Sequence, residues 1–267
     1  MMKKTFLISV IITAFIFLSC KKVITVQLNN SPTQIVIIGE VTNVAGPYTV
    51  SINSSVNFSQ PNIFPPVSGA KVIISDDHTL VDTLTEASPG TYQTHTFWQG
   101  VPGNTYTLSV VSSGKSFSAV SAMPLPVPLD SVTFQQKAGD NGKTVIQAVA
   151  NFQDPAGVQN YYQFTEKIND TLLNKIFIFQ DRLSDGKYIT QPFDNDSAAL
   201  KTGDQLTLNM YCIDENVFRY FFELRQLLNA NPFNEATPAN PDTNLTNGAL
   251  GYFSAQTIQS SSLMVHF

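Results

Sequence analysis

Two cysteines (Cys20, Cys212) and three scattered histidines (His78, His95, His266) in 267 residues leave no material for a disulfide framework or a histidine-rich metal site. Charge is scarce too. Only 13% of residues are charged, 15 basic against 20 acidic, and no basic cluster follows the first 22 residues, so nucleic acid is not an expected partner. The catalytic signatures that carry their own geometry are also missing: there is no GxSxG elbow, HExxH helix, phosphate-cradling Walker loop, dinucleotide fingerprint or paired CxxC. What is abundant is apolar material, 43% hydrophobic and 11% aromatic, enough for one large or two ordinary cores and too much for a disordered chain.

The first twenty residues read as an address. Lys3 and Lys4 precede the apolar run Phe6 to Leu18 (FLISVIITAFIFL), which ends at Ser19-Cys20. A membrane-spanning helix needs about 20 apolar residues, so this run is short for an anchor and fits a secretory signal. With Phe17, Leu18, Ser19 and Cys20 in the lipobox positions, the segment resembles a bacterial lipoprotein signal. That resemblance implies cleavage before Cys20, a lipid on its thiol and an acylated amine, hence membrane attachment through several chains. Residues 1–19 are then the signal peptide and 20–34 a lipidated tether.

From Ile35 the chain is a succession of short strand signals: IVIIGEV, YTVSI, AKVIIS, TYQTHTF and TYTLSVV. In the last, Tyr106, Leu108 and Val110 alternate with Thr105, Thr107 and Ser109, the period of a half-buried strand. Gly46-Pro47, Pro65-Pro66, Ser68-Gly69, Pro89-Gly90, Pro102-Gly103 and Ser113-Gly114 punctuate them too closely for ordinary helices. An antiparallel β-sandwich over 35–123 is expected. MPLPVPL at 123–129 sets three prolines at alternate positions and marks 124–129 as an extended linker.

The second half, 130–267, is expected to be a β-rich domain with one packed helix at about 214–229. Its strand signals are SVTF, TVIQAVANF, NYYQFTEKI, NKIFIFQ and QLTLNMYCI, and the closing ones ALGYFSAQTIQ and SSSLMVHF. The helix opens on Asp214 as N-cap, repeats Val217, Phe218, Phe221, Leu224 and Leu228 on one side, and spaces Glu215, Arg219 and Glu223 for ion pairs on the other. Residues 229–248, with three prolines and six asparagines, form a long loop.

These runs also carry a family likeness: FPPVSGAKV (64–72), PGTYQT (89–94), GVPGNTYTLSV (100–110), MPLPVPLDSV (123–132), DPAGVQNYY (154–162), Gly203-Asp204 and NGALGYFSA (247–255). In order and spacing the chain resembles a family of Bacteroidota lipoproteins known as domain of unknown function 4249. The resemblance implies an outer-membrane lipoprotein whose first module is immunoglobulin-like or transthyretin-like, with family genes often beside TonB-dependent receptors. It implies no catalytic residues. Lys21 and Lys22 stand where surface-exported lipoproteins of that phylum often carry acids, so the facing, periplasmic or cell-surface, stays open.

No catalytic residue, metal or cofactor is assigned. His78 beside Asp76 and Asp77 reads as a turn whose carboxylates take backbone amides, His95 as a mid-strand residue, and Cys212 as a small buried hydrophobe. Asp181 and Asp185, with Asp194 and Asp196, are the one acidic grouping with oxygen ligands to offer calcium, and are read as solvated loop acids. Candidate ligand or partner contacts are Trp98, Tyr161 and Tyr162 among the aromatics, and Phe233 and Asn244 in the long loop. The expected role is a lipid-anchored accessory protein that docks on an outer-membrane β-barrel receptor or TonB-dependent transporter. The alternative is a surface glycan- or solute-binding module.

Overall fold

The computed structural model describes residues 32–57, 60–139, 142, 144–194, 200–229 and 239–266. The alternation of small polar and branched apolar residues from Ile35 onward gives β1 (Ile35–Thr42), β2 (Thr49–Ser54), β3 (Lys71–Asp76), β4 (Val81–Ser88), β5 (Thr91–Gln93), β6 (Thr105–Ser112) and β7 (Lys115–Ala122). Their inward residues, among them Ile37, Ile52, Ile74, Tyr92, Tyr106 and Leu108, are 2% exposed or less and form one core. Each such aliphatic or aromatic side chain contributes about 1.5–3 kcal/mol by leaving water.

The second half gives β8 (Ser131–Ala138), β9 (Thr144–Gln153), β10 (Tyr161–Ile168), β11 (Thr171–Leu172), β12 (Phe177–Gln180), β13 (Tyr188–Pro192), β14 (Gln205–Ile213), α1 (Glu215–Leu228) and β15 (Leu250–Met264). One sheet runs β11-β10-β14-β15-β1-β2-β5-β4-β3-β6-β7, with β12 also on β10, and a smaller one runs β13-β9-β8. The chain is therefore mainly β, a sandwich followed by a second β-rich module with one helix.

β15 makes the sheet continuous. The two closing strand signals are a single strand, whose first part pairs with β1 from Val36↔Leu250 to Thr42↔Gln256 and whose second part pairs with β14 from Cys212↔Thr257 to Gln205↔Met264. The β1 pairing is parallel, an exception to the antiparallel expectation, because β15 enters at the end where β1 begins and runs the same way. The first core accordingly includes Leu245, Ala249, Phe253 and Ala255 from the far end of the chain. The proline-rich connection is itself packed: Met123 lies in the first core and Val127, 1% exposed, in the second.

In the second module Val132, Ala148, Ala150, Phe152 and Ile189 of the small sheet face Tyr162, Phe164, Leu206, Leu208, Met210 and Cys212 of the large one. The opposite face of β10, β14 and β15 is covered by α1, where Val217, Phe218 and Phe221 meet Tyr161, Tyr211, Ile213 and Tyr252. Period-two alternation along β10 sends Tyr161 to the helix and Tyr162 to the sheet-on-sheet core. Leu228, assigned to the packed side from its spacing, is 70% exposed, while Leu224, one turn earlier, packs into the core between helix and sheet. Glu215 pairs with Arg219 at 3.1 Å as the spacing predicts, while Glu223 accepts the Asp242 amide at 2.6 Å.

Candidate functional site

The two modules meet at a polar knot beside an apolar groove. Asp214 caps α1, its Oδ1 accepting the Val217 amide at 2.9 Å, and its other oxygen accepts the Ser121 hydroxyl of β7. The Ser121 oxygen in turn accepts the Ala255 amide of β15 at 2.8 Å. One carboxylate thus ties the helix start to both a β7 side chain and the strand shared by the modules. Burial raises the Asp214 proton affinity, and the bonds from Ser121 and Val217 oppose that rise.

Against this knot lies a cleft of about 290 Å³ lined mostly by carbon, with Pro124, Leu125, Pro126, Pro155, Val158 and Ile213 on its walls. Leu125 is 70% exposed and Val158 61%. Prolines hold the wall extended without free amides, so side chains rather than backbone donors face a visitor. Asp214 and Glu215 give one rim an acidic character.

Around the corner, Tyr161, Phe218 and Phe222 form an aromatic shelf, with ring centroids 5.0 Å and 6.1 Å apart in successive pairs. Gln159, Gln180, Arg182 and Arg219 surround it in a shallow pocket of about 260 Å³. Tyr161 is thus where a ligand can reach it. Tyr162 is not: it is fully buried, and its hydroxyl donates to Asp154.

Asp181 and Asp185 come together, but with Asp154 rather than with Asp194; one oxygen of each of the three lies within 4.8 Å of the others. Asp154 and Asp181 are each 1% exposed. Asp154 accepts the Tyr162 hydroxyl and the Gly186 amide, Asp181 the Asn160 amide, and Asp185 the Gly157 amide. Asp181 is therefore a buried acid and not the solvated one expected. Burial raises its proton affinity, and the charges of Asp154 and Asp185 add to it. Three oxygens in this arrangement match the hard-donor chemistry of calcium, yet the same oxygens staple the 154–160 turn to the 181–187 turn. Asp194 instead pairs with Lys137 at 2.5 Å, and its carbonyl takes Lys175. Asp196 lies outside the described residues.

Trp98 closes the end of the first core. It is half-buried, edge-on to Tyr48 at 4.6 Å and stacked on Tyr106 at 6.0 Å, and its N–H donates to buried Asp82 at 2.9 Å. Asp82 also takes the Thr96 hydroxyl and the His95 amide, which pulls the chain off the sheet after Gln93. His95 is for that reason an exposed loop residue, not the mid-strand residue its sequence context suggested. Asn244 is also engaged: its amide donates to Val120 and Phe253 carbonyls at 3.2 and 2.7 Å and accepts the Phe253 amide, stitching the loop across β7 and β15.

In the 76–80 turn, Asp76 accepts the His78 and Leu80 amides and Asp77 the Thr105 amide. Cys212 is 3% exposed, and burial pushes its thiol up, which suppresses the reactive thiolate. Phe233 and Cys20 lie outside the described residues. No helix among the described residues is long and apolar enough to cross a membrane.

Sequence reasoning did not single out Ser121, Asp154 or the groove. Ser121 is one serine in a strand rich in small residues, and the groove is assembled from segments up to 93 positions apart, from Ala122 to Glu215. The Asp154-Pro155 pair signals a turn, but not that its carboxylate bonds the Tyr162 hydroxyl and the Gly186 amide, 8 and 32 positions away. No curated protein matches the chain. The model of a family described as a domain of unknown function matches residues 21–262, nearly the whole sequence, and the chain belongs to that family, DUF4249.

Proposed function

We propose that this is a lipid-anchored cell-envelope accessory protein, held by Cys20, that docks on an outer-membrane β-barrel receptor or TonB-dependent transporter. The observation that carries the docking is the apolar groove at the module junction. Leu125 and Val158 stand well exposed beside prolines, and this carbon-lined surface supports reading the groove as a docking site. The anchoring reading is supported by the run from Phe6 to Leu18 ending at Ser19-Cys20. The experiment is affinity purification of the protein from solubilised membranes, beside a Leu125→Asp/Val158→Asp variant. A large β-barrel recovered in near-stoichiometric amount with the wild type and lost with the variant supports the reading; recovery of the lipoprotein alone counts against it.

A second reading, a glycan- or solute-binding module, rests on the Tyr161–Phe218–Phe222 shelf with its flanking amides and guanidinium groups. Aromatic faces stack on sugar rings, and amides bond their hydroxyls. A glycan array separates the two: binding abolished by Tyr161→Ala and unaffected by Leu125→Asp selects the second.

A further inference from the structure

The strand directions of the first module sort its loops into two ends. At one end lie the start of β1, the end of β2, the end of β4, the start of β3 and the β6–β7 hairpin, as the pairs Ile35↔Ser54, Lys71↔Val111 and Ser112↔Lys115 fix. At the other lie Trp98, the 76–80 turn, Val81 and the crossing into the second module. The described chain enters at the first end. Gln34 is pinned there, its amide donating to Ser55 Oγ at 2.9 Å and its side chain to the Gly248 carbonyl at 3.2 Å. β15 leads from this end toward the second module.

The same end carries an apolar tip that the fold does not use. The base of the 60–67 loop is clamped to β2 through Ser54 to Pro65 (2.8 Å) and Val67 to Ile52 (2.9 Å). Beyond the clamp, Ile63 is 74% exposed and Phe64 49%, between Pro61 and Pro65-Pro66, whose rings fix the backbone and hold the two side chains outward at little entropic cost. Exposed Lys71 and Lys115 sit at this end. Its described acid, Glu86, is occupied by the Gly69 and Gly90 amides, each at 3.0 Å. Asp76, Asp77 and Asp82 of this module lie at the far end, in the 76–80 turn and the start of β4.

We infer that the Ile63–Phe64 tip is a membrane-seating element: it enters the interfacial layer of the bilayer beside the N-terminal anchor, so that the first module stands end-on and the second points away from the lipid. The inference rests on the reading of Cys20 as the lipidated residue. Gln34 lies fourteen positions after Cys20. The chain enters the described fold at this end, through Gln34, so an anchor at Cys20 is tied to this end and not to the far one. An apolar side chain pair in the interface leaves water, and lysines at the rim meet anionic headgroups, each adding to the same orientation.

The test uses the full lipidated protein reconstituted in vesicles containing anionic phospholipid. An environment-sensitive dye is attached at Ile63→Cys and, as a control, at Val81→Cys, a 70% exposed site at the opposite end. Buried Cys212 does not compete for the label. The expected result is a blue-shifted dye at position 63, quenched by lipids brominated at a depth of about 5–10 Å below the headgroup boundary, with the dye at 81 unshifted. Equal, water-like emission at both positions overturns the inference while leaving the anchor intact. The mass of the N-terminal peptide is read on the same sample, and an unacylated Cys20 overturns the anchoring reading and the seating with it.

Discussion

The Ser121–Asp214 contact predicts a coupling that a double-mutant cycle measures. Asp214→Ala removes the N-cap of α1, worth about 1 kcal/mol, and the acceptor of the Ser121 hydroxyl, a bond to a charged group worth about 1.5–3 kcal/mol. Asp214 is partly buried with a raised proton affinity, so its removal also relieves a desolvation cost, and the expected net loss is about 2–3 kcal/mol. Ser121→Ala strands the buried Ala255 amide as well, for about 1–3 kcal/mol. Because both changes delete the same bond, the double variant should fall short of additivity by about 1–2 kcal/mol. Asp214→Asn keeps a cap and an acceptor without the charge, and should lose less than about 1 kcal/mol. The assay is urea unfolding of the chain from residue 21, followed by fluorescence of Trp98. Single-variant losses that add to within about 0.3 kcal/mol would refute the knot as the tie between helix and sandwich.

Three further outcomes follow from the same structure. Gly251 has φ +95°, and a Cβ there would stand 2.1 Å from the Ile37 carbonyl oxygen, so Gly251→Ala should cost about 3–5 kcal/mol by parting β15 from β1, read as a large fall in thermal midpoint. Trp98→Phe removes one of the donors to buried Asp82 while keeping most of the ring contact, and should cost about 1–2 kcal/mol by denaturant unfolding followed by far-ultraviolet circular dichroism; an unchanged midpoint contradicts the capping role. Asp181 keeps its proton in the folded state at a pH where the unfolded chain, with an ordinary value near 3.9, has released it. Its contribution is therefore present at low pH and is lost as pH rises through the raised value. Asp181→Asn should flatten that segment of the stability profile, and an identical slope would contradict the buried cluster.

Most of the strands and the helix were legible because their signals are local: alternation in TYTLSVV, the Asp214 cap, and prolines and glycines at the turns; β7 and β13, short of branched apolar residues, were not. Even the face of Cys212 could be read from its neighbours, since Leu206, Leu208 and Met210 are buried with it. What depended on distant partners was not. The single strand Leu250–Met264 divides its pairing between β1 and β14, and nothing in the local pattern of ALGYFSAQTIQSSSLM marks the change of neighbour at Gln256–Thr257. The strand pattern of TYQTHTF was overridden by one carboxylate, Asp82, which draws in three groups of the following loop. Asp185 and Asp194 are nine positions apart yet belong to different clusters, because β13 carries the chain between them.

Docking through the module junction is tested most directly by a photo-crosslinking amino acid placed at Leu125 in living cells, with Val81 as the control position. Both sites are 70% exposed, so the comparison is of location and not of access. The account predicts a discrete high-mass adduct to an outer-membrane β-barrel from position 125 and none from 81. Adducts absent from both positions, or equal from both, would contradict it.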